Sequence, residues 1–183
     1  MFLTYLKYMV QLILSPGRGW EDIGLAKIDP RRLANNGLYL LILIAAVTEY
    51  VKWIWDDEVT FASLTIDAIV TYVTYFASYF IGIFFMSLVM NEFSAGASFD
   101  KRVHTFVNYS IGLLTLICVV SNFLPIDFPL LYYLPLYIII IQWKANKYMQ
   151  VPDSHAGWFV LLAAPSVLLP PFLLMFLFNY IVP

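Results

Sequence analysis

Residues 68–90, 105–124 and 156–183 each run without a single Asp, Glu, Lys or Arg. A hydrocarbon core about 30 Å thick is crossed by roughly 20 apolar helical residues, so each stretch is long enough to span a bilayer. A transmembrane β-barrel would instead show short segments alternating apolar and polar residues. These runs are continuously apolar, and the chain as a whole is 62% hydrophobic and 12% charged, outside the range of soluble domains. The sequence therefore predicts an all-α, polytopic membrane helix bundle. It predicts two regions: residues 1–32 as a cytoplasmic or interfacial N-terminal segment, and residues 33–183 as one membrane domain.

The spans are expected at about 33–55, 67–90, 103–124, 130–143 and 156–180, five in all. Lys and Arg fix their direction, because cytoplasmic loops hold the excess of positive charge. Five crossings put nine of the ten Lys and Arg residues on one side and Lys52 alone on the other. Fusing residues 105–143 into one long crossing would give seven against three. The arithmetic favours five, with the N-terminus cytoplasmic and the C-terminus outside. Residues 91–112 are pivotal here, since Lys101 and Arg102 are the only positive charges between Lys52 and Lys144.

Residues 1–14 have the length of a signal peptide, but Lys7 interrupts them and no small-residue cleavage site follows. Thr4, Lys7, Gln11 and Ser15 share one narrow face at helical spacing, with apolar residues covering the rest. That pattern fits an N-terminal amphipathic helix at the membrane interface, or a short helix packed on the bundle. Ser15 to Gly19 reads as a turn, with Trp20 at headgroup depth and a brief amphipathic turn after it. Asp29 and Pro30 read as the cap and first residue of the next helix.

Polar residues inside the spans are the candidate functional groups. Asp67, Thr71, Thr74 and Ser78 recur at i, i+4, i+7 and i+11, a stripe that serves either helix packing or a polar cavity. Ser78 and Gly82 form a small-x-x-x-small pair. Glu49 and Lys52 are spaced to pair, and Glu49 and Asp67 lie toward the same outer side. Asp127, in a turn with Pro125 and Pro129, and Asn179 read as solvated. At the inner side, Arg31, Arg32, Lys101, Arg102, His104 and Asn108 form a candidate surface for a partner protein or an anionic lipid headgroup, with Glu92 and Asp100 nearby. Pro165, Pro170 and Pro171 are expected to kink or split the last span.

The chemistry is as informative by omission. Cys118 is alone and reads as a small buried apolar residue. No zinc spacing, Gly-x-Ser-x-Gly, His-Glu-x-x-His or Gly-x-Gly-x-x-Gly is present. No enzyme, cofactor or metal is expected, and the absence of a basic patch beyond the membrane flanks argues against nucleic acid.

Leu14-Ser-Pro16-Gly-Arg-Gly-Trp20-Glu-Asp-Ile23 resembles the Pro-x-x-x-Trp-x-x-Ile segment of prokaryotic members of the Yip/Yif family of Rab-interacting membrane proteins. Phe93-Ser-Ala-Gly-Ala-Ser-Phe99-Asp-Lys-Arg-Val, with Phe106-Val-Asn-Tyr109-Ser, is similar to that family's small-residue loop and the start of its third span. The resemblance implies a non-enzymatic scaffold or adaptor of a bacterial inner membrane, meeting its partners at the cytoplasmic face. It implies no catalytic residue. The chain lacks the long cytosolic tail of the eukaryotic relatives, which bind small GTPases. The competing expectation is a small transporter or channel built on Glu49, Asp67, Thr71, Thr74 and Ser78. Membrane lipids are expected partners in either case, and the small and aromatic faces permit a homo-oligomer.

Overall fold

The computed structural model describes residues 1–56, 58–91, 99–124, 131 and 133–181. The small-residue loop at 93–98, Glu92, and the turn holding Pro125, Asp127 and Pro129 lie outside the described residues. Among those described, the chain is all helical, and four helices are long and apolar enough to cross a membrane. This is the architecture of an integral multi-pass membrane protein.

Helix α1 (Phe2–Leu14) and helix α2 (Pro16–Ala26) meet at Ser15, whose extended backbone separates them. The expected turn at 15–19 is thus a single-residue break. Pro16 opens α2 at a position where its missing N–H leaves no bond unmade. Lys27 ends α2 in the left-handed conformation, and Pro30 starts α3 (Pro30–Leu33). Asp29 precedes it without a side-chain cap bond. The chain then continues through a π-helical turn (Ala34–Leu38), α4 (Tyr39–Thr48) and a 3-10 stretch (Glu49–Ile54). Together these make the first long apolar helix, Pro30–Ile54.

The other three are α5 (Phe61–Asn91), α6 (Phe99–Asn122) and α9 (Ala156–Ile181). Between α6 and α9 lie α7 (Leu134–Trp143) and the single turn α8 (Asn146–Met149). With ten residues, α7 is about 15 Å long, half a hydrocarbon core.

Helix α6 is the centre of the bundle. Residues 105–111 and 113–115 are all buried, so it is enclosed on every side. Helices α4, α5, α7 and α9 surround it, and α5 packs most broadly on α9. The outward faces of α5 and α9 are apolar, with Phe80, Phe84, Leu173 and Phe176 all exposed. An apolar exterior around a polar-dotted core is what lipid rather than water selects.

Helix α9 is neither ended nor split by its three prolines. Pro170 and Pro171 lie on its buried face with Phe159, Ala163 and Val167. Ser166 turns its hydroxyl back to the Leu162 carbonyl at 2.6 Å. Gly82 lets α5 lie close to the α9 backbone at Ser166 and Val167. This packing holds α9 together where local preference would break it.

The N-terminal helices are part of the bundle. Tyr5, Met9 and Leu12 of α1 are fully buried, while Leu3, Val10 and Leu14 face outward. The polar edge of α1 stays at the surface, where the Gln11 amide donates to the Asp22 carboxylate of α2. Tyr5 enters a slot between Gly37 and Gly112, where any β-carbon would collide with it. Its ring stacks on Tyr109 at 5.1 Å, and its hydroxyl donates to the Asn108 carbonyl at 3.3 Å. Burial raises the Tyr5 phenol well above its ordinary pKa, so the donor stays protonated.

Candidate functional site

Trp20 organises one end of the bundle. It is only 1% exposed, so its ring faces other side chains of the protein. Its ring stacks on Phe106 at 5.7 Å and on Tyr148 at 5.2 Å, and meets Tyr109 edge-on at 6.2 Å. Its indole N–H donates to the Ile141 carbonyl at 2.8 Å. An indole must pair its N–H when buried, and a carbonyl in the last turn of a helix has no helical partner of its own. The two needs meet here and fasten α2 to α7.

A recessed cleft of about 830 Å³ opens against this aromatic cluster. Five cations line it: Lys27 after α2, Lys101 and Arg102 on α6, Lys144 after α7 and Lys147 on α8. Glu21 is the only carboxylate in the lining, and none of the five cations is ion-paired among the described residues. Thr105 and Tyr109 of α6, Asn146 of α8 and Trp143 of α7 also line it. The Tyr109 hydroxyl and Asn146 Oδ1 are buried without a hydrogen-bond partner among the described residues.

The docking set expected from the sequence divides. Lys101 and Arg102 line the cleft. Arg31 and Arg32 are exposed on α3 but are not part of the lining. His104 is half-buried, within electrostatic reach of Asp100 and Arg31. Asn108 is fully buried in the core and lies outside the cleft lining, with both amide atoms unpartnered among the described residues, so it takes no part in this surface. Lys27, Lys144, Lys147, Tyr109 and Asn146 were not singled out for this site from the sequence. The five-span charge count already put the lysines on one side of the membrane, but only packing brings them around one cleft.

The second expected set lies toward the opposite end. Glu49 is 3% exposed and pairs with Lys52, Oε2 to Nζ at 2.6 Å. The 3-10 stretch places residues three apart in line, which brings the pair together. Thr71 Oγ1 donates to Glu49 Oε1 at 2.8 Å, and Cys118 Sγ lies 3.9 Å from the same oxygen. Cys118 is therefore a half-buried neighbour of a carboxylate rather than a purely apolar filler. Asn122 donates to Thr48 Oγ1 at 3.1 Å beside them. Asp67 stays exposed, one turn before Thr71, within electrostatic reach of both Lys52 and Glu49. Thr71, Thr74 and Ser78 are all buried. Of these, Thr71 alone meets Glu49, while the Thr74 and Ser78 hydroxyls find no partner among the described residues. Among the described residues no group of three His, Cys, Asp or Glu side chains is placed to hold a metal ion. Comparison with protein-family models, with curated proteins and with solved structures gives no match to this chain.

Proposed function

We propose that this chain is a five-crossing, non-enzymatic membrane scaffold of the Yip-like kind, whose basic end is cytoplasmic and forms its recognition face. The observation that carries this reading is the cleft. Four separate segments deliver five cations, none ion-paired among the described residues, to one concavity beside the Trp20 cluster. A charged rim with no recognition role would not need an aromatic anchor from the far end of the chain.

Five crossings are supported by where the segment between α6 and α9 begins and ends. Asn122 at the end of α6 bonds Thr48, whereas Ile141 near the end of α7 bonds Trp20 beside Phe106. Phe106 precedes Asn122 by sixteen residues of helix, about 24 Å. The intervening chain thus returns along the bundle. Phe159 of α9 then packs on Phe106 at 5.9 Å, starting the last helix from the basic end. The non-enzymatic reading rests on the motifs absent from the sequence, and the bacterial inner membrane on the resemblance.

The test is recovery of partners from native membranes by the tagged full-length chain. Lys101→Ala with Arg102→Ala should reduce recovery of any specific partner, and equal recovery would count against the proposal. A transporter is the second reading, favoured by the unpartnered Thr74 and Ser78 hydroxyls and the buried Asn108 amide. Buried polar groups without partners are where internal water resides. That reading requires solute or ion flux in liposomes that changes with Asp67→Asn, and absence of flux in both proteins would remove it. The Glu49 carboxylate speaks for the first reading, because Lys52 already neutralises its charge and Thr71 already donates to Oε1.

A further inference from the structure

We propose that the cleft binds the headgroup of an anionic phospholipid that carries free hydroxyls, of the phosphatidylglycerol class. The inference rests on the basic end being the recognition face and names what it recognises.

Three features converge on this chemistry. The rim comes first. Among the described lining residues, Lys27, Lys101, Arg102, Lys144 and Lys147 are met by one carboxylate, Glu21, an excess of positive charge that suits a phosphodiester. The same excess disfavours a zwitterionic headgroup, whose ammonium would sit among cations. The floor comes second. Tyr109 is 1% exposed, yet its hydroxyl is unpartnered, as is Asn146 Oδ1. A buried hydroxyl and a buried carbonyl oxygen left unpaired are an incomplete hydrogen-bond set. A ligand hydroxyl completes it, donating to Asn146 Oδ1 or accepting from Tyr109. An ionised phosphodiester without a free hydroxyl offers Asn146 Oδ1 no donor.

The third feature is the way in. Leu136, Ile140 and Trp143 are exposed at i, i+4 and i+7, one apolar stripe along α7. Trp143, the end of that stripe, is also a wall of the cleft. Acyl chains can therefore lie along α7 while the headgroup enters between α2, α6 and α8. A soluble phosphate compound has no use for such a track. The volume of about 830 Å³ falls within the roughly 300–1,000 Å³ of small-molecule sites.

The experiment is native mass spectrometry of the full-length protein in detergent. It is supplied with equal amounts of phosphatidylglycerol, phosphatidylethanolamine and phosphatidylmethanol, the last being anionic without a free hydroxyl. Phosphatidylglycerol should be retained about tenfold over phosphatidylethanolamine and several-fold over phosphatidylmethanol. Lys101→Gln, Arg102→Gln, Lys144→Gln and Lys147→Gln together should abolish the preference over phosphatidylethanolamine. Tyr109→Phe removes a hydroxyl with no protein partner and so should leave the fold intact. It should erase the preference over phosphatidylmethanol and spare that over phosphatidylethanolamine. Equal retention of the three lipids by the wild type, or unchanged selectivity in the four-residue variant, would overturn the proposal. Displacement by excess inorganic phosphate would reassign the cleft to a soluble phosphate compound. Partner recovery that depends on the same cations without lipid selectivity would overturn the lipid ligand and leave the scaffold standing. Lipid selectivity with partner recovery unchanged would do the reverse.

Discussion

The Trp20 indole N–H reaches the Ile141 carbonyl at 2.8 Å across 121 residues of sequence. The Lys144 amide bonds Ile140 and the Ala145 amide bonds Gln142, so neither takes the Ile141 carbonyl. Trp20→Phe keeps most of the aromatic contact but strips that carbonyl of its donor, and should destabilise by about 1 kcal/mol. Trp20→Ala should destabilise by about 3–5 kcal/mol, because it also empties the space between Phe106 and Tyr148. Thermal unfolding in detergent measures both. Limited trypsinolysis should also cut Trp20→Ala sooner at Arg18, since α2 loses its anchor.

The slot for Tyr5 makes a sharper prediction. A β-carbon at Gly112 meets the Tyr5 hydroxyl, whereas one at Gly37 meets the ring itself. Gly112→Ala and Gly37→Ala should each destabilise by about 1–3 kcal/mol through overpacking. Tyr5→Phe should relieve much of the Gly112→Ala defect and little of the Gly37→Ala defect. Melting temperatures of the three single and two double variants check it, and equal rescue of both would contradict this packing.

Glu49 is buried and Lys52 is about one-third exposed, so the two partners are unequal. Lys52→Met leaves a carboxylate buried without its counter-ion and should destabilise by about 3–5 kcal/mol. Glu49→Gln frees a cation that can turn to the aqueous side, and should be milder. The double variant should be more stable than Lys52→Met alone. A double-mutant cycle on unfolding in detergent reads the coupling.

The five crossings proposed above would place the two termini on opposite sides of the membrane. A reporter fused after Pro183 should be active on the outer side, with one fused before Met1 cytoplasmic. Two cytoplasmic reporters would mean four crossings, with α7 folded back on the basic side.

Much of this architecture is legible from runs of residue type. Charge-free stretches at 68–90, 105–124 and 156–183 mark α5, α6 and α9, and the ends fall within a few residues of those expected except at the start of α5. The Glu49–Lys52 pair and the Ser78–Gly82 face are also legible, because both follow from helical spacing within one element. What spacing conveys less well is how the helices meet. Ser15 and Pro16 read as a turn and prove a one-residue break, since the following glycines tolerate a helix once Gly19 packs against Leu12. The prolines of α9 read as a kink or a split, and the split does not occur, with α9 packed along α5.

The sequence by itself determined that these segments are helical, which of them suit lipid, and which end carries the positive charge. Those properties depend on composition and period, which neighbours in the chain set. Only the tertiary structure decided that Trp20 is an interior anchor, that Asn108 is out of reach, and that Lys27, Lys101, Arg102, Lys144 and Lys147 surround one cleft. Those facts depend on contacts between residues far apart in sequence, and a loop's length and charge do not specify the point at which it meets another.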